Sequence, residues 1–310
     1  MYSSFWLNQV VYHIVSIALH FIVSALFYLL ARKILRNNLL AAFAALLFLV
    51  MSGYSEVVFW ISSTGYLFNA VFALSAILLF SLWEEKNKRI YLILSIICIV
   101  FGMFFHEAGI VTPLLVILYS VAKNGQFKIE KLKTKIHYLL LAPIPVYLAM
   151  RFIAQSHWLS GDYSYNIFKL PFNFIGNIIG YFGVVSLGTI SIPLYEALRN
   201  LGRENIFGAF VVVVVAVIGA VVIYKKIIPI IPAEGKRILL FGSLFFIISL
   251  LPFLGLGNIT SRYSYFASFG FILIFVYLEK KIFEYVEMYG RDISTMVVVI
   301  IVSVFSLLHI

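Results

Sequence analysis

Apolar residues fall in long runs along this chain, broken only by short polar stretches. The runs predict helices at 8–30, 38–53, 66–83, 90–105, 108–122 and 138–153. Further ones are predicted at 207–224, 238–254, 263–279 and 293–310. Most approach the ~20 residues that cross a hydrocarbon layer. The VVVVV run at 211–215 has strand propensity, but lipid demands backbone groups paired within their own segment, so a helix is predicted there too. The expected fold is all-α: a polytopic transmembrane bundle of roughly 10–11 membrane helices. It forms one integral membrane domain over 1–310, with no separate soluble domain.

The polar breaks are of two kinds. Those at 31–38, 84–89, 123–137, 224–237 and 279–291 are rich in lysine and arginine, and the positive-inside rule puts them in the cytoplasm. Those at 53–65, 106–107, 154–171 and 254–266 then face outside. Segment 172–193 upsets the alternation: a single crossing there would put 224–237 on the wrong side. Its glycines at 176, 180, 183 and 188 suit close packing or a broken path, and a re-entrant or interfacial course is the expectation. No basic residue precedes the first run, whereas Arg32 and Lys33 follow it, so the N-terminus is expected outside with no signal peptide to place it there. An additional upstream helix would account for that start.

Composition agrees: 63% of residues are hydrophobic and 12% charged, far from the water-soluble average of about a quarter charged. A net charge of +10 invites a nucleic-acid reading, but the cations sit in short loops rather than along one face, so no nucleic-acid partner is expected and the bilayer is. Cys98 is the single cysteine, excluding an intrachain disulfide and a cysteine-based metal site.

Four outward polar clusters carry the candidate chemistry. GYSEVVFWISST (53–64) holds Glu56 and Trp60, and His106–Glu107 joins two apolar runs directly. QSHWLSGDYSYNIFKLP (155–171) contributes His157, Trp158, Asp162, Tyr163, Tyr165 and Lys169. NITSRYSYF (258–266) contributes Arg262, Tyr263 and Tyr265. His13 and His20 share a face of the first helix, His13 nearer the outside. Ordinary roles exist for all of these: loop carboxylates are solvated, arginines and tyrosines anchor at interfaces, and interior histidines are hydrogen-bonded. Glu107 is the exception, since a carboxylate wedged between apolar runs is costly unless it is used. No Gly-rich phosphate loop, HExxH, CxxC or GxSxG occurs. The inventory suits an anionic lipid headgroup beside a hydroxyl substrate.

In order, YHIVSIALH (12–20), SEVVFWISS (55–63), HEAGIVTP (106–113) and SRYSYFASFG (261–270) resemble the membrane domain of GT-C glycosyltransferases. The nearest likeness is to the transmembrane O-mannosyltransferases that carry tetratricopeptide repeats, and to their prokaryotic relatives. The resemblance covers nearly the whole chain. It implies inverting transfer of a sugar from a polyprenyl (dolichyl or undecaprenyl) phosphate to a protein or glycan acceptor, on the outer side of a cell or endoplasmic reticulum membrane. A carboxylate, Glu107 or Glu56, would take the acceptor's proton. Arg262 would meet the phosphate, and Tyr263, Tyr265, His106, Trp60, His13 and Asp162 would line the substrate site. A divalent cation, Mg or Mn, assists in some such enzymes. The chain departs from the family at His106, where lysine is usual, and at Thr64, where arginine is common. The family's catalytic aspartate lies before the helix at which this chain begins, so the resemblance implies an incomplete or degenerate member. A transporter or flippase and an O-antigen-type ligase or polymerase are the alternatives.

Overall fold

In the computed structural model, residues 8–123, 135–155, 170–205 and 231–309 are described, with scattered residues between 207 and 225. The described residues are 91% helical, with no strand among them. Helix α1 (Gln9–Leu35) and α2 (Asn38–Val50) form a hairpin. Asn37 caps α2, its Oδ1 accepting the Leu40 N–H at 3.0 Å. A short helix α3 (Ser55–Phe59) and a turn (Ile61–Ser63) lead to α4 (Thr64–Lys86) and α5 (Arg89–Phe105). A tight turn (Glu107–Val111) opens α6 (Thr112–Lys123). Then come α7 (Lys135–Leu141), α8 (Pro143–Ile153), α9 (Leu170–Leu187) and α10 (Ser191–Glu204). The series closes with α11 (Ala233–Leu254), α12 (Ser264–Val286) and α13 (Arg291–Leu308). By length and composition five helical stretches among the described residues suffice to cross a membrane, and Asn38–Val50, Arg89–Phe105 and Ser294–Leu308 are shorter apolar helices.

The helices gather their ends into two distinct rims. At one, Lys33 pairs with Glu85 at 2.8 Å, Lys123 approaches Glu84 and Glu85, and Arg237 donates to the Ile34 carbonyl at 2.7 Å. This basic rim joins residues from four of the five loops that the charge rule assigns to one side. The opposite rim carries 52–64, 106–111 and 255–263.

Between the rims the core is aromatic. Phe27 stacks on Phe269 at 4.6 Å, Phe48 lies 4.6 Å from Phe269, and Tyr54 and Tyr265 meet edge to face at 5.0 Å. The α11–α12 crossing is held by glycines: a Cβ on Gly242 would stand 2.6 Å from the Gly270 carbonyl oxygen. Close backbone approach of this kind is how membrane helices gain dispersion contact without a hydrophobic drive.

Segment 172–193 is not one continuous helix. The chain reverses at Gly188, whose φ of +71° favours glycine. Consequently α10 runs back along α9: the Tyr195 hydroxyl donates to Asn177 Oδ1 at 2.6 Å, and Arg199 reaches Asn173. Successive turns of α9 meet successive parts of the far rim. Asn173 donates to the Gly255 carbonyl, Asn177 to those of Leu254 and Leu256, and the Val185 carbonyl meets His309. The hairpin therefore packs along the far ends of α11 and α13, and by length and composition Leu170–Asn200 is one of the five stretches that suffice to cross a membrane. Phe172, Ile175, Ile179 and Phe182 remain exposed on α9.

Asn177 donates to two carbonyls at the end of α11, those of Leu254 and Leu256. Asn177→Leu is expected to strand the buried Leu254 and Leu256 carbonyls and cost about 1–3 kcal/mol. Faster hydrogen exchange across 170–187 with an intact basic rim is the expected reading; unchanged exchange would show that the anchor lies elsewhere.

Candidate functional site

The far rim is built from three backbone devices. At the first, α5 ends at Phe105 and His106 turns the chain: its Nδ1 accepts the Ala108 N–H at 3.1 Å and so caps the turn that follows. Gly109 lets that turn fold back onto α5, since a Cβ there would meet the Gly102 carbonyl carbon and oxygen at 2.6 Å. The junction has no room for a loop because it is a packed reversal, and the turn leaves Glu107 exposed.

At the second, residues 261–263 form a helical turn that leads into α12. Tyr263 is buried and stacks on Phe253 at 4.1 Å with the rings 5° from parallel. Arg262 lies over two aromatic faces, its guanidinium carbon 4.8 Å from the Trp60 centroid and 5.2 Å from that of Tyr263. The third device is the start of α4, where Gly65 admits the Phe105 carbonyl and Tyr66 lies against the His106 ring at 3.8 Å. Tyr66 is also 6.2 Å from Tyr263, so one aromatic layer links His106 to Arg262.

Burial lowers the His106 pKa below its ordinary value; Glu107 opposes this, and the charges of Arg262 and Arg151 add to it. The cap bond requires Nδ1 unprotonated, so the neutral ring carries its proton on Nε2. The unfolded chain binds the proton more tightly than the folded one. The neutral ring's contribution to stability is thus complete above about pH 6.5 and is lost as pH falls through the lower, folded value. His106→Asn retains a capping oxygen but cannot titrate. A melting temperature that falls less steeply between pH 6.5 and 5 is expected for this variant; identical slopes would remove His106 as the source.

Arg262, Trp60, Tyr263, His106 and Glu107 are thus brought to one rim. Glu56 is exposed on α3, which packs against the turn of Arg262. His13 is half-buried on α1, 6.4 Å from the Phe59 ring. Tyr265 is the correction: it is 1% exposed, in the core, with its hydroxyl 2.8 Å from His20 Nδ1. Residues two apart on a helical turn point to nearly opposite sides, at about 200°, so Tyr263 takes the rim and Tyr265 the interior. His20 is held from its other nitrogen by the Leu49 carbonyl at 3.2 Å. Asp162 and the rest of 156–169 lie outside the described residues.

No family model, curated protein or solved structure matches this chain. The site has to be read from its own residues.

Sequence reasoning missed Arg151 and Tyr66. Arg151 lies in the last turn of α8 and donates to the Tyr147 hydroxyl at 3.2 Å, and its charge is the smallest contribution to the lowered His106 pKa. Its signal was a cation at the end of an apolar run where the charge rule expects few. Tyr66 had none, being one tyrosine of 19. For a divalent cation, no group of three or more His, Cys, Asp or Glu side chains converges among the described residues. Those residues do not fit a protein-held ion. What the rim offers is the Arg262 guanidinium over Trp60 and Tyr263, an aromatic layer from Tyr263 through Tyr66 to the His106 ring, and the exposed carboxylates of Glu107 and Glu56, an arrangement able to bind an anion and receive a proton.

Proposed function

We propose that the chain is a membrane glycosyltransferase acting at the far rim on a lipid-phosphate-linked sugar. The observation that carries the reading is Arg262 lying over Trp60 and Tyr263 beside the His106–Glu107 turn. This rim is opposite the lysine-rich loops, which supports an extracytoplasmic site. A guanidinium lying over aromatic faces keeps its charge and loses little freedom when it meets a phosphate.

The step balances as an inverting displacement. An acceptor hydroxyl oxygen of a protein or glycan forms a bond to the anomeric carbon as that carbon's bond to the phosphate oxygen breaks. The electron pair leaves on the polyprenyl phosphate, whose growing charge Arg262 stabilises. The hydroxyl proton goes to a rim carboxylate, Glu107 or Glu56. The Nε2–H of neutral His106 donates to the same anion.

Purified chain in nanodiscs, supplied with a radiolabelled polyprenyl-phosphate sugar and mixed acceptors, tests the reading. Transfer is expected, and Glu107→Gln and Glu56→Gln assayed separately identify the base by a loss of about 100- to 10,000-fold. Normal transfer by both variants would remove the carboxylates from the chemistry.

A further inference from the structure

Toward the basic rim, α12 carries a carboxylate inside the bundle. Glu279 is 4% exposed, and neither of its oxygens has a hydrogen-bond partner or a cation within ion-pair distance among the described residues. Its direction follows from the helix that bears it. Phe275, one turn earlier, stacks on Phe305 of α13 at 4.6 Å, and Tyr265, nearly four turns earlier, meets Phe48 of α2 at 5.2 Å. Glu279 thus points into the seam between α2 and α13.

The charges around it are turned away or already engaged. Lys280 and Lys281 pair with Glu284 on their own helix. Tyr277, about 200° round α12 from Glu279, faces Gly235 of α11. On α11, Arg237 donates to the Ile34 carbonyl, while Glu234 and Lys236 are exposed. From α1, Lys33 pairs with Glu85 of α4, and Arg32 and Arg36 are exposed. From α4, Glu84 lies near Lys123 and Lys86 is exposed. Helix α2 has no titratable side chain, and α9 has only Tyr181. The turn before α13 presents Glu287, exposed, and the first turn of α13 carries Arg291 and exposed Asp292.

We infer that Glu279 is a proton-binding site: the folded chain holds it as the neutral acid, and release of that proton loosens α12 from α2 and α13. An isolated carboxylate in an apolar interior costs far more than the neutral acid, so folding retains the proton. Sugar transfer at the far rim is not needed for this.

The full chain in nanodiscs, treated with dicyclohexylcarbodiimide, tests it. That reagent partitions into apolar surroundings and adds to a protonated carboxyl, whose proton passes to a carbodiimide nitrogen as its oxygen bonds to the central carbon. Peptide masses are expected to show several-fold more label on Glu279 than on exposed Glu284 at about pH 6, and a several-fold loss of it at about pH 9. Glu279→Gln keeps the shape of the neutral acid and should abolish that label. Its melting temperature should rise relative to the parent's as pH goes from about 5 to about 8. The reason is that the unfolded chain gives up this proton above the ordinary carboxylate range while the folded chain keeps it, so only the parent loses stability there. Hydrogen exchange across 38–50 and 291–300 should quicken toward alkaline pH more in the parent than in the variant. Label on Glu279 no heavier than on Glu284, parallel melting profiles, or an equal response of exchange in both chains would each overturn the inference. A glutamine variant less stable than the parent at about pH 8 would also overturn it, by revealing a paired carboxylate.

Discussion

Arg262→Ala is expected to lower sugar transfer by about 100- to 1,000-fold while membrane insertion and melting temperature stay near those of the parent chain. The range is that for removing one preorganised charge from a developing anion in a water-poor site. The structural cost is small, because the guanidinium is at the rim and its aromatic partners remain supported. Tyr263 keeps its stack on Phe253, and Trp60 is already 52% exposed. Arg262→Lys separates charge from geometry. A lysine retains the cation but cannot lie flat over Trp60 and Tyr263 or bind phosphate through two parallel donors, so only partial recovery is expected. Initial rates of radiolabel transfer, with the melting temperature as control, decide the matter. Parental rates in the alanine variant would remove Arg262 from the site.

Gly270→Leu is expected to have the largest effect on the fold. A Cβ at Gly270 would collide with the Gly242 carbonyl oxygen and stand 2.8 Å from the Phe246 nitrogen. These are backbone atoms, which cannot swing aside as a side chain would. Relief requires α11 and α12 to separate, at an overpacking cost of about 1–3 kcal/mol or more. Separation would also pull Phe253, at the end of α11, away from Tyr263, just before α12, and so unseat Arg262. A lowered melting temperature in detergent together with lost transfer is the expected pair. Gly270→Ala should do the same to a smaller degree, since the Cβ is itself the obstacle. A leucine variant as stable as the parent would show that close backbone contact does not hold this crossing.

Much of the architecture was legible because apolar length is a local property. The runs at 90–105 and 138–153 coincide within three residues with α5 and the α7–α8 pair. Lysine-rich loops marked one rim because charge resists burial in lipid. The apolar run at 263–279 ends short of its helix, since α12 continues to Val286 through Glu279, Lys280 and Lys281. Salt bridges from both lysines to Glu284 support that last stretch after the apolar pattern has ended.

By itself, the sequence determined the class of the protein: a helical membrane bundle with two unlike rims, and with His106–Glu107 and the SRYSY stretch on the same one. Hydropathy and charge act over short stretches of chain and survive being read in one dimension. Tertiary structure alone decided which side chains share the site. It turned Tyr265 inward to His20, tied α9 to the end of α11 through two asparagines, and brought Tyr66 to His106. Those outcomes depend on helix rotation and on contacts between residues as far apart as 245 positions, which no local pattern encodes.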